Sequence, residues 1–336
     1  MAAVPKSYKK NIAEGNGILI FAIILALLVR LAYYFSFDFT GLKENTNGYL
    51  WTYLSPLFNK QLVSAICSTI LTAGLATISA HINTTHVLIR RKTSLVPAIV
   101  ILLFSCHPSF IYVSAEYIST LLFLLIIAML FTSYNNGQKQ ISAFKSSFFL
   151  ALGSLFSPLL LIYLPVLWVC LAMMRCMNFK SFIATLLGFF ILYFPAFSFY
   201  LFTDNVGAFI NPFTSITIQQ LSEPMAIDLN IINWVILGFS LILLGIIITD
   251  NYINRHKDKI RTRAYLRLLS FIVIFSIIVF LFFNINPTLN IFIGLSTGTF
   301  LLAHFFALAE RRGTTILFYT CILFYIFICI SSFLSL

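Results

Sequence analysis

The chain has 336 residues, of which 60% are hydrophobic and only 9% charged, and its mean hydropathy is +0.98. A soluble domain carries about a quarter charged residues, so this composition excludes an ordinary globular protein and indicates a polytopic membrane protein. The net charge of +11 does not indicate a nucleic-acid partner, because the basic residues border apolar segments and do not alternate with aromatic residues.

The basic residues are sorted along the chain. All but three of the 21 Lys and Arg residues, the exceptions being Arg30, Lys43 and Lys60, fall in six short clusters between apolar segments. Cytoplasmic loops of membrane proteins retain Lys and Arg, so the clusters mark one face of the membrane. The clusters are Lys6/Lys9/Lys10, Arg90/Arg91/Lys92, Lys139/Lys145, Arg175/Lys180, Arg255/Lys257/Lys259/Arg261/Arg263/Arg267 and Arg311/Arg312.

The first four membrane segments follow from this sorting. Residues 17–36 form the first span; Arg30 and Tyr33 stand where a signal peptide would have a small-residue cleavage site, so the span is retained. A polar and aromatic loop, 37–59, follows on the outer face. The next three spans are predicted at 61–83, 94–113 and 117–133.

The apolar block at 147–174 has basic clusters on both sides. A single helix of these 28 residues would be about 42 Å long and would place one cluster outside. Two short arms folded at Ser157-Pro158 keep both clusters inside, because Pro breaks the helical hydrogen-bond ladder. We therefore predict a short-helix or re-entrant hairpin, with one long tilted helix as the alternative.

The remaining segments complete the bundle. A span at 181–202 leads to an external loop, 204–230, which contains no basic residue. A C-terminal part with four helices follows over 231–336, with spans at 231–249, 268–283, 289–309 and 314–334. The sequence thus predicts one all-α transmembrane domain over 1–336, a polytopic helical bundle of about eleven membrane segments, with the N-terminus cytoplasmic and the C-terminus outside.

Few ionisable groups lie near these segments, and each is a functional candidate. Arg30 either extends to the lipid headgroups or contacts a phosphate. Asp38 and Glu44 in the first outer loop suit a general base or a metal ligand, with a solvated loop as the alternative. His107 and Glu116 form an acid–base pair, or Glu116 caps a helix where it leaves the bilayer.

Other polar and small residues indicate packing. The six Cys residues lie mostly inside apolar runs without metal-ligand spacing, and His81 and His304 are expected to be packed, hydrogen-bonded histidines. Gly294-x-x-x-Gly298 indicates a close helix contact. No nucleotide-binding or metalloprotease motif occurs, so we expect no cofactor and no metal.

Four stretches carry a resemblance to a known family. They are Leu28-Val29-Arg30-Leu31 with Asp38 after it, Ile89-Arg90-Arg91-Lys92, the Pro-Ser-Phe-Ile-Tyr-Val-Ser-Ala-Glu stretch at 108–116, and the broken apolar stretch 150–158. Over residues 17–203 this layout resembles the membrane part of GT-C glycosyltransferases, which take sugars from polyprenyl-phosphate donors. The family usually has a second acid beside its catalytic Asp, whereas Phe39-Thr40 follows Asp38 here.

The resemblance implies a function at the outer face of a bacterial inner membrane. It implies that Asp38 is the general base and that Arg30 holds the phosphate of a polyprenyl-phosphate lipid. Glu44 is a second catalytic candidate, although it lies too far along the loop to match the family's second acid, and His107 and Glu116 are candidates for substrate binding. An inactive relative has the same layout. A non-catalytic assembly subunit of a cell-envelope complex, with a membrane-protein partner, is an equal alternative. A transporter or flippase ranks behind, because few polar residues and no internal repeat occur.

Overall fold

The computed structural model describes residues 8, 12, 15–37, 48–134, 138–218, 231–282, 287–309 and 312–334. Within these ranges the chain forms thirteen α-helices and no β-strand. The helices are α1 (Gly17–Ser36), α2 (Tyr49–Leu54), α3 (Gln61–His86), α4 (Leu95–Leu103), α5 (Ala115–Ser133), α6 (Lys139–Phe156), α7 (Tyr163–Met173), α8 (Phe179–Phe202), α9 (Val206–Ile218), α10 (Ile231–Ile253), α11 (Ile260–Phe282), α12 (Pro287–Ala307) and α13 (Arg312–Leu334).

Eight of these helices are long and apolar enough to cross a membrane: α1, α3, α5, α8, α10, α11, α12 and α13. The predicted all-α, multi-pass membrane bundle is thereby confirmed. Helices α12 and α5 form its centre, since 72% and 61% of their apolar windows are buried inside the protein. Helix α10 lies at the periphery, where only 6% of its window is buried.

The prediction of one helical span over 94–113 is wrong. Helix α4 ends at Leu103 after nine residues, about 14 Å, and residues 104–114 continue without α-helix apart from a 3-10 turn at Pro108–Phe110. The cause is Pro108, which has no N–H to donate to the carbonyl four residues earlier, that of Phe104. His107, the residue before it, is accordingly extended (φ −137°, ψ 144°).

This interrupted segment nevertheless runs from one end of the bundle to the other. At its start, the Ser94 hydroxyl donates to the Gly15 carbonyl, 2.8 Å away, beside the beginning of α1. At its end, the Val113 N–H donates to Ser64 Oγ, 2.9 Å away, in the first turn of α3. The segment therefore combines a short helix with a run of turns, and most of its residues are buried or half-buried, with His107 and Ser109 exposed.

The break predicted at Ser157-Pro158 is present. Helix α6 ends at Phe156, a 3-10 turn covers Pro158–Ile162, and α7 begins at Tyr163. The second arm runs back beside the start of α8, where Trp168 Nε1 donates to Thr185 Oγ1 at 3.1 Å. The two separate helices exclude a single long helix over 147–174.

Basic residues gather at one end of the bundle, which we call the basic end. There Arg90 pairs with Asp258 (Nη2–Oδ1 2.5 Å), and the Tyr265 hydroxyl donates to the Phe131 carbonyl at 2.7 Å. The thiol of Cys176, just after α7, contacts the Ser133 carbonyl at the end of α5. The described members of five basic clusters thus lie on chain segments that meet at the same end.

The opposite end brings together other helix termini. Tyr112 donates to the Phe37 carbonyl (3.4 Å) and accepts from Gln61 Nε2 (3.1 Å), while the Phe37 ring lies 5.9 Å from that of Phe333 near the end of α13. We call this the outer end.

Several predicted boundaries differ from the structure, among them those of the external loop and of helix α11. The external loop predicted at 204–230 contains helix α9 over Val206–Ile218, and residues 219–230 lie outside the described residues. Helix α11 begins at Ile260 rather than 268, so Arg261, Arg263 and Arg267 belong to it. Apolar composition locates a span well, but it does not show where helical backbone extends beyond the apolar region.

Candidate functional site

Arg30 is the most extensively hydrogen-bonded charged residue of the described chain. It lies in α1 with only 6% of its surface exposed. Its Nε donates to Ser105 Oγ at 2.9 Å, and its Nη1 donates to Ser68 Oγ at 3.1 Å. Its Nη2 donates to Thr72 Oγ1 at 2.7 Å and to the Phe104 carbonyl at 2.8 Å. The guanidinium therefore joins α1, α3 and the end of α4.

The contact with Phe104 has a specific cause. Pro108 leaves this carbonyl without its helical donor, and non-helical backbone at membrane depth must be satisfied by protein. Arg30 supplies the missing donor, and the partial negative charge at the end of helix α4 favours its cation. Farther along the segment, the Phe110 carbonyl accepts from the Tyr117 hydroxyl at 2.5 Å and lies 3.4 Å from Arg30 Nη2.

This arrangement bears on both predictions for Arg30, extension to the lipid headgroups and contact with a phosphate. The side chain does not extend to the lipid headgroups, because it points into the protein and is buried. A donor phosphate would have to compete for the guanidinium with the hydroxyls of Ser68, Thr72 and Ser105 and with the Phe104 carbonyl. What the structure does show is that Arg30 holds the 104–114 segment in place.

The structure places His107 and Glu116 at the two ends of one stretch. His107 is exposed, and its Nδ1 accepts a hydrogen bond from the Ser109 N–H at 3.2 Å, which caps the Pro108–Phe110 turn. Glu116 lies in the first turn of α5, where a carboxylate interacts favourably with the helix dipole. These positions give both residues a local structural role, and their acid–base pairing stays a prediction.

Asp38 and Glu44 lie outside the described residues, but the residues that precede and follow their loop are described. Before the loop, the Phe37 N–H donates to the Tyr33 carbonyl at 3.0 Å and so caps the end of α1. Its own carbonyl accepts from Tyr112. Phe37, the residue directly before the loop, is therefore bound to the 104–114 segment, which Arg30 contacts.

On the far side, the loop ends at Gly48 against the tip of the α6–α7 hairpin. The Gly48 N–H donates to the Phe156 carbonyl at 3.0 Å, and a Cβ on this glycine would overlap the Leu155 carbonyl. The next residue, Tyr49, stacks on Phe209 of α9 with ring centroids 5.2 Å apart and donates to its carbonyl. Both ends of the loop are thus fixed at the outer end.

A second cluster, at the basic end, was not predicted. Asp258 accepts from Arg90 Nε at 3.1 Å and Nη2 at 2.5 Å, and its Oδ1 lies 3.8 Å from His304 Nε2. Burial alone would raise the pKa of Asp258, but His304 and Arg90 lower the pKa below its ordinary value. Arg90 and Asp258 are 168 positions apart, so no local spacing in the sequence indicates the pair.

A cavity of about 200 Å³ adjoins this cluster. The end of α10, the α10–α11 connection and the end of α12 form its walls. It is lined by Arg90, Arg91, Asp250, Asn251, Asn254, Lys257, Asp258, His304, Phe305, Leu308, Ala309 and Thr314. His304 is packed, as expected, but its buried Nε2 has no hydrogen-bond partner among the described residues, because Asp258 Oδ1, at 3.8 Å, is beyond hydrogen-bond distance.

Metal-binding geometry is not found in the described part of the chain, where no three His, Cys, Asp or Glu side chains come together. All six cysteines are free thiols there. No known protein family, curated protein or solved structure matches the chain.

Proposed function

We propose that the chain spans a bacterial inner membrane eleven times, with the basic end and the N-terminus in the cytoplasm and the C-terminus outside. The eight long apolar helices supply eight crossings. The interrupted 94–114 segment supplies a ninth crossing, since its contacts link it to both ends of the bundle. The two hairpin arms supply the other two, since the hairpin tip contacts Gly48 at the outer end. This orientation places the described basic clusters on the cytoplasmic side.

Cysteine labelling tests this orientation. In a background without the native cysteines, Lys139→Cys and Lys180→Cys are expected to react with an impermeant maleimide from the cytoplasmic side, and Asn205→Cys from the outer side. If positions 139 and 180 react from opposite sides, the hairpin does not return to the basic end.

At the outer face, we propose glycosyl transfer from a polyprenyl-phosphate-linked sugar, in the manner of the GT-C enzymes that the sequence resembles. The observation that supports it concerns the two residues on either side of the loop: Phe37 and Gly48 are both hydrogen-bonded to packed segments at the outer end. Asp38 directly follows Phe37 in the sequence, and catalysis requires ordered surroundings that position the reactive groups.

In this reaction Asp38 takes the proton of the acceptor hydroxyl. The acceptor oxygen forms a bond to the anomeric carbon of the sugar, and the bond from that carbon to the phosphate oxygen breaks, so the polyprenyl phosphate leaves with the electron pair. Glu44 is the second candidate for the base. Arg30 acts as a positioning residue that holds the 104–114 segment, to which Phe37 is hydrogen-bonded.

Asp38→Asn and Glu44→Gln test the catalytic proposal, with Asp204→Asn as a matched control. Asp204 is an exposed acid beyond α8, outside the loop. Loss of a general base lowers the rate about 10²–10⁴-fold. We expect this loss for Asp38→Asn in membranes supplied with labelled polyprenyl-phosphate sugar, with normal protein accumulation and unchanged activity of the control. If the Asp38→Asn, Glu44→Gln double variant leaves cellular function intact, catalysis is refuted.

A non-catalytic assembly subunit is the second candidate, and α10 favours it. Only 6% of the apolar window of this helix is buried within the chain, and a Cβ added at Gly238 or Gly245 would meet nothing within 4 Å. Glycines seven residues apart lie on the same side of a helix and allow a partner helix to approach. In this case Gly238→Leu would abolish cellular function, whereas the double variant at Asp38 and Glu44 would preserve it.

A further inference from the structure

The cavity at the basic end has two buried nitrogen atoms that lack a hydrogen-bond partner among the described residues. One is His304 Nε2, on a residue that is only 4% exposed, which lies 3.8 Å from Asp258 Oδ1, too far for a hydrogen bond; the other is Asn251 Nδ2. Both residues line the cavity. Leaving such a group unsatisfied costs about 1–3 kcal/mol, and a ligand that accepts hydrogen bonds would remove this cost.

The charges around the cavity favour an anion. Its lining has three cations, Arg90, Arg91 and Lys257, and two carboxylates, Asp250 and Asp258. Each carboxylate already has a donor within the protein. Arg90 donates to Asp258, and Asn254 Nδ2 donates to Asp250 Oδ1 at 2.8 Å. Both acids therefore have a hydrogen-bond donor, and with three cations against two carboxylates the lining carries a net positive formal charge.

We propose that this cavity binds a phosphate group, carried either by an anionic phospholipid or by a soluble phosphomonoester. The amide of Asn251 donates to a phosphate oxygen, and so does His304 when its Nε2 carries a hydrogen. The basic side chains of the lining supply the charge. Basic pockets between transmembrane helices bind lipid headgroups in this way. The site lies at the other end of the bundle from the proposed glycosyl transfer and does not depend on it.

Access from the bilayer is built into the position of α10. One wall of the cavity is the end of this helix, at Asp250, Asn251 and Asn254, and the rest of α10 is scarcely covered by other helices. A phospholipid beside α10 therefore has its acyl chains along the apolar helix and its headgroup at the level of the cavity.

The test uses the purified full-length protein. It is reconstituted in phosphatidylcholine nanodiscs with and without phosphatidylglycerol, and separately titrated with glycerol 3-phosphate and inorganic phosphate. The measurements are the melting temperature and, by native mass spectrometry, the number of retained phosphatidylglycerol molecules. We expect one of these probes to stabilise the protein and saturate. Retention of phosphatidylglycerol assigns a lipid headgroup, whereas saturation by glycerol 3-phosphate or inorganic phosphate assigns a soluble ligand.

Three variants locate the binding. Lys257→Gln and Asn251→Leu each remove a lining donor and are expected to weaken binding about tenfold. Lys259→Gln is the matched control, because it removes the same charge from the same connection outside the cavity. If Asn251→Leu lowers the melting temperature of the ligand-free protein, only the comparison of Lys257→Gln with Lys259→Gln is used to locate the binding. The proposal is refuted if no probe binds, or if Lys259→Gln weakens binding as much as Lys257→Gln.

Discussion

Replacing Arg30 by methionine tests whether this guanidinium holds the interrupted segment. Methionine fills a similar volume but cannot donate. Four acceptors then lose this donor. The Ser68 and Thr72 hydroxyls still donate to the Ala65 and Ser68 carbonyls, whereas the Phe104 carbonyl and Ser105 Oγ keep no other partner that the structure shows. The Phe110 carbonyl loses less, because the Tyr117 hydroxyl still donates to it.

The cost follows from these two groups. A buried polar atom left without its partner costs about 1–3 kcal/mol, which gives about 2–6 kcal/mol for both. Removing a buried cation also removes its desolvation cost, which offsets part of this, so we expect a net loss of stability of about 2–5 kcal/mol. Arg30→Lys retains the charge but has three donors instead of five, and is expected to lose less.

The measurement uses the segment's own thiol. Cys106 is 8% exposed and lies two residues after Phe104. In a variant with Cys106 as the only cysteine, a local destabilisation of about 2 kcal/mol raises the rate of maleimide labelling by more than tenfold. Cys67 in α3, tested in the same way, is expected to label at an unchanged rate. If Cys106 labels equally fast with and without the Arg30→Met substitution, and both proteins are folded, other contacts hold the segment and the reasoning is refuted.

Two further predictions concern packing and pH. Gly188→Ala places a Cβ 2.7 Å from the Phe144 carbonyl, so it is expected to separate α8 from α6. The melting temperature should fall by the equivalent of about 1–3 kcal/mol. Gly245→Ala is the control, because its Cβ would meet nothing within 4 Å, and it is expected to leave the melting temperature unchanged. The folded pKa of Asp258 lies below its ordinary value of 3.8, so its ion pair with Arg90 stabilises the fold above pH 3.8 and this contribution is lost as the pH falls further. The difference in melting temperature between wild type and Asp258→Asn is therefore expected to shrink below that pH; a constant difference would refute the assignment.

The long helices could be predicted because apolar length and charge sorting report directly on membrane crossing. The break at Ser157-Pro158 was predictable for a related reason, since basic clusters on both sides required the chain to return. The end of α4 was missed although Pro108 marks it. Apolar residues continue to Val113, and a hydropathy pattern does not distinguish an α-helix from a buried run of turns.

The candidate sites were less predictable than the helices. Arg30 stood out as a charge within an apolar run, but its partners Ser68, Thr72 and Ser105 are ordinary small polar residues in their own segments. Nothing in the sequence pairs them with it. Likewise, the cavity beside His304 exists only because distant chain segments meet at the basic end.

The interrupted segment has a consequence for biogenesis. Arg30 and Ser64, whose side chains satisfy Phe104 and Val113, are translated before the segment itself. If the 94–113 stretch left the translocon alone, its bare carbonyls and amides would face hydrocarbon at a cost of several kcal/mol each. Arg30 and Ser64 are therefore already present when the segment emerges from the ribosome. We expect α1, α3 and the 94–114 segment to leave the translocon together as one assembled unit.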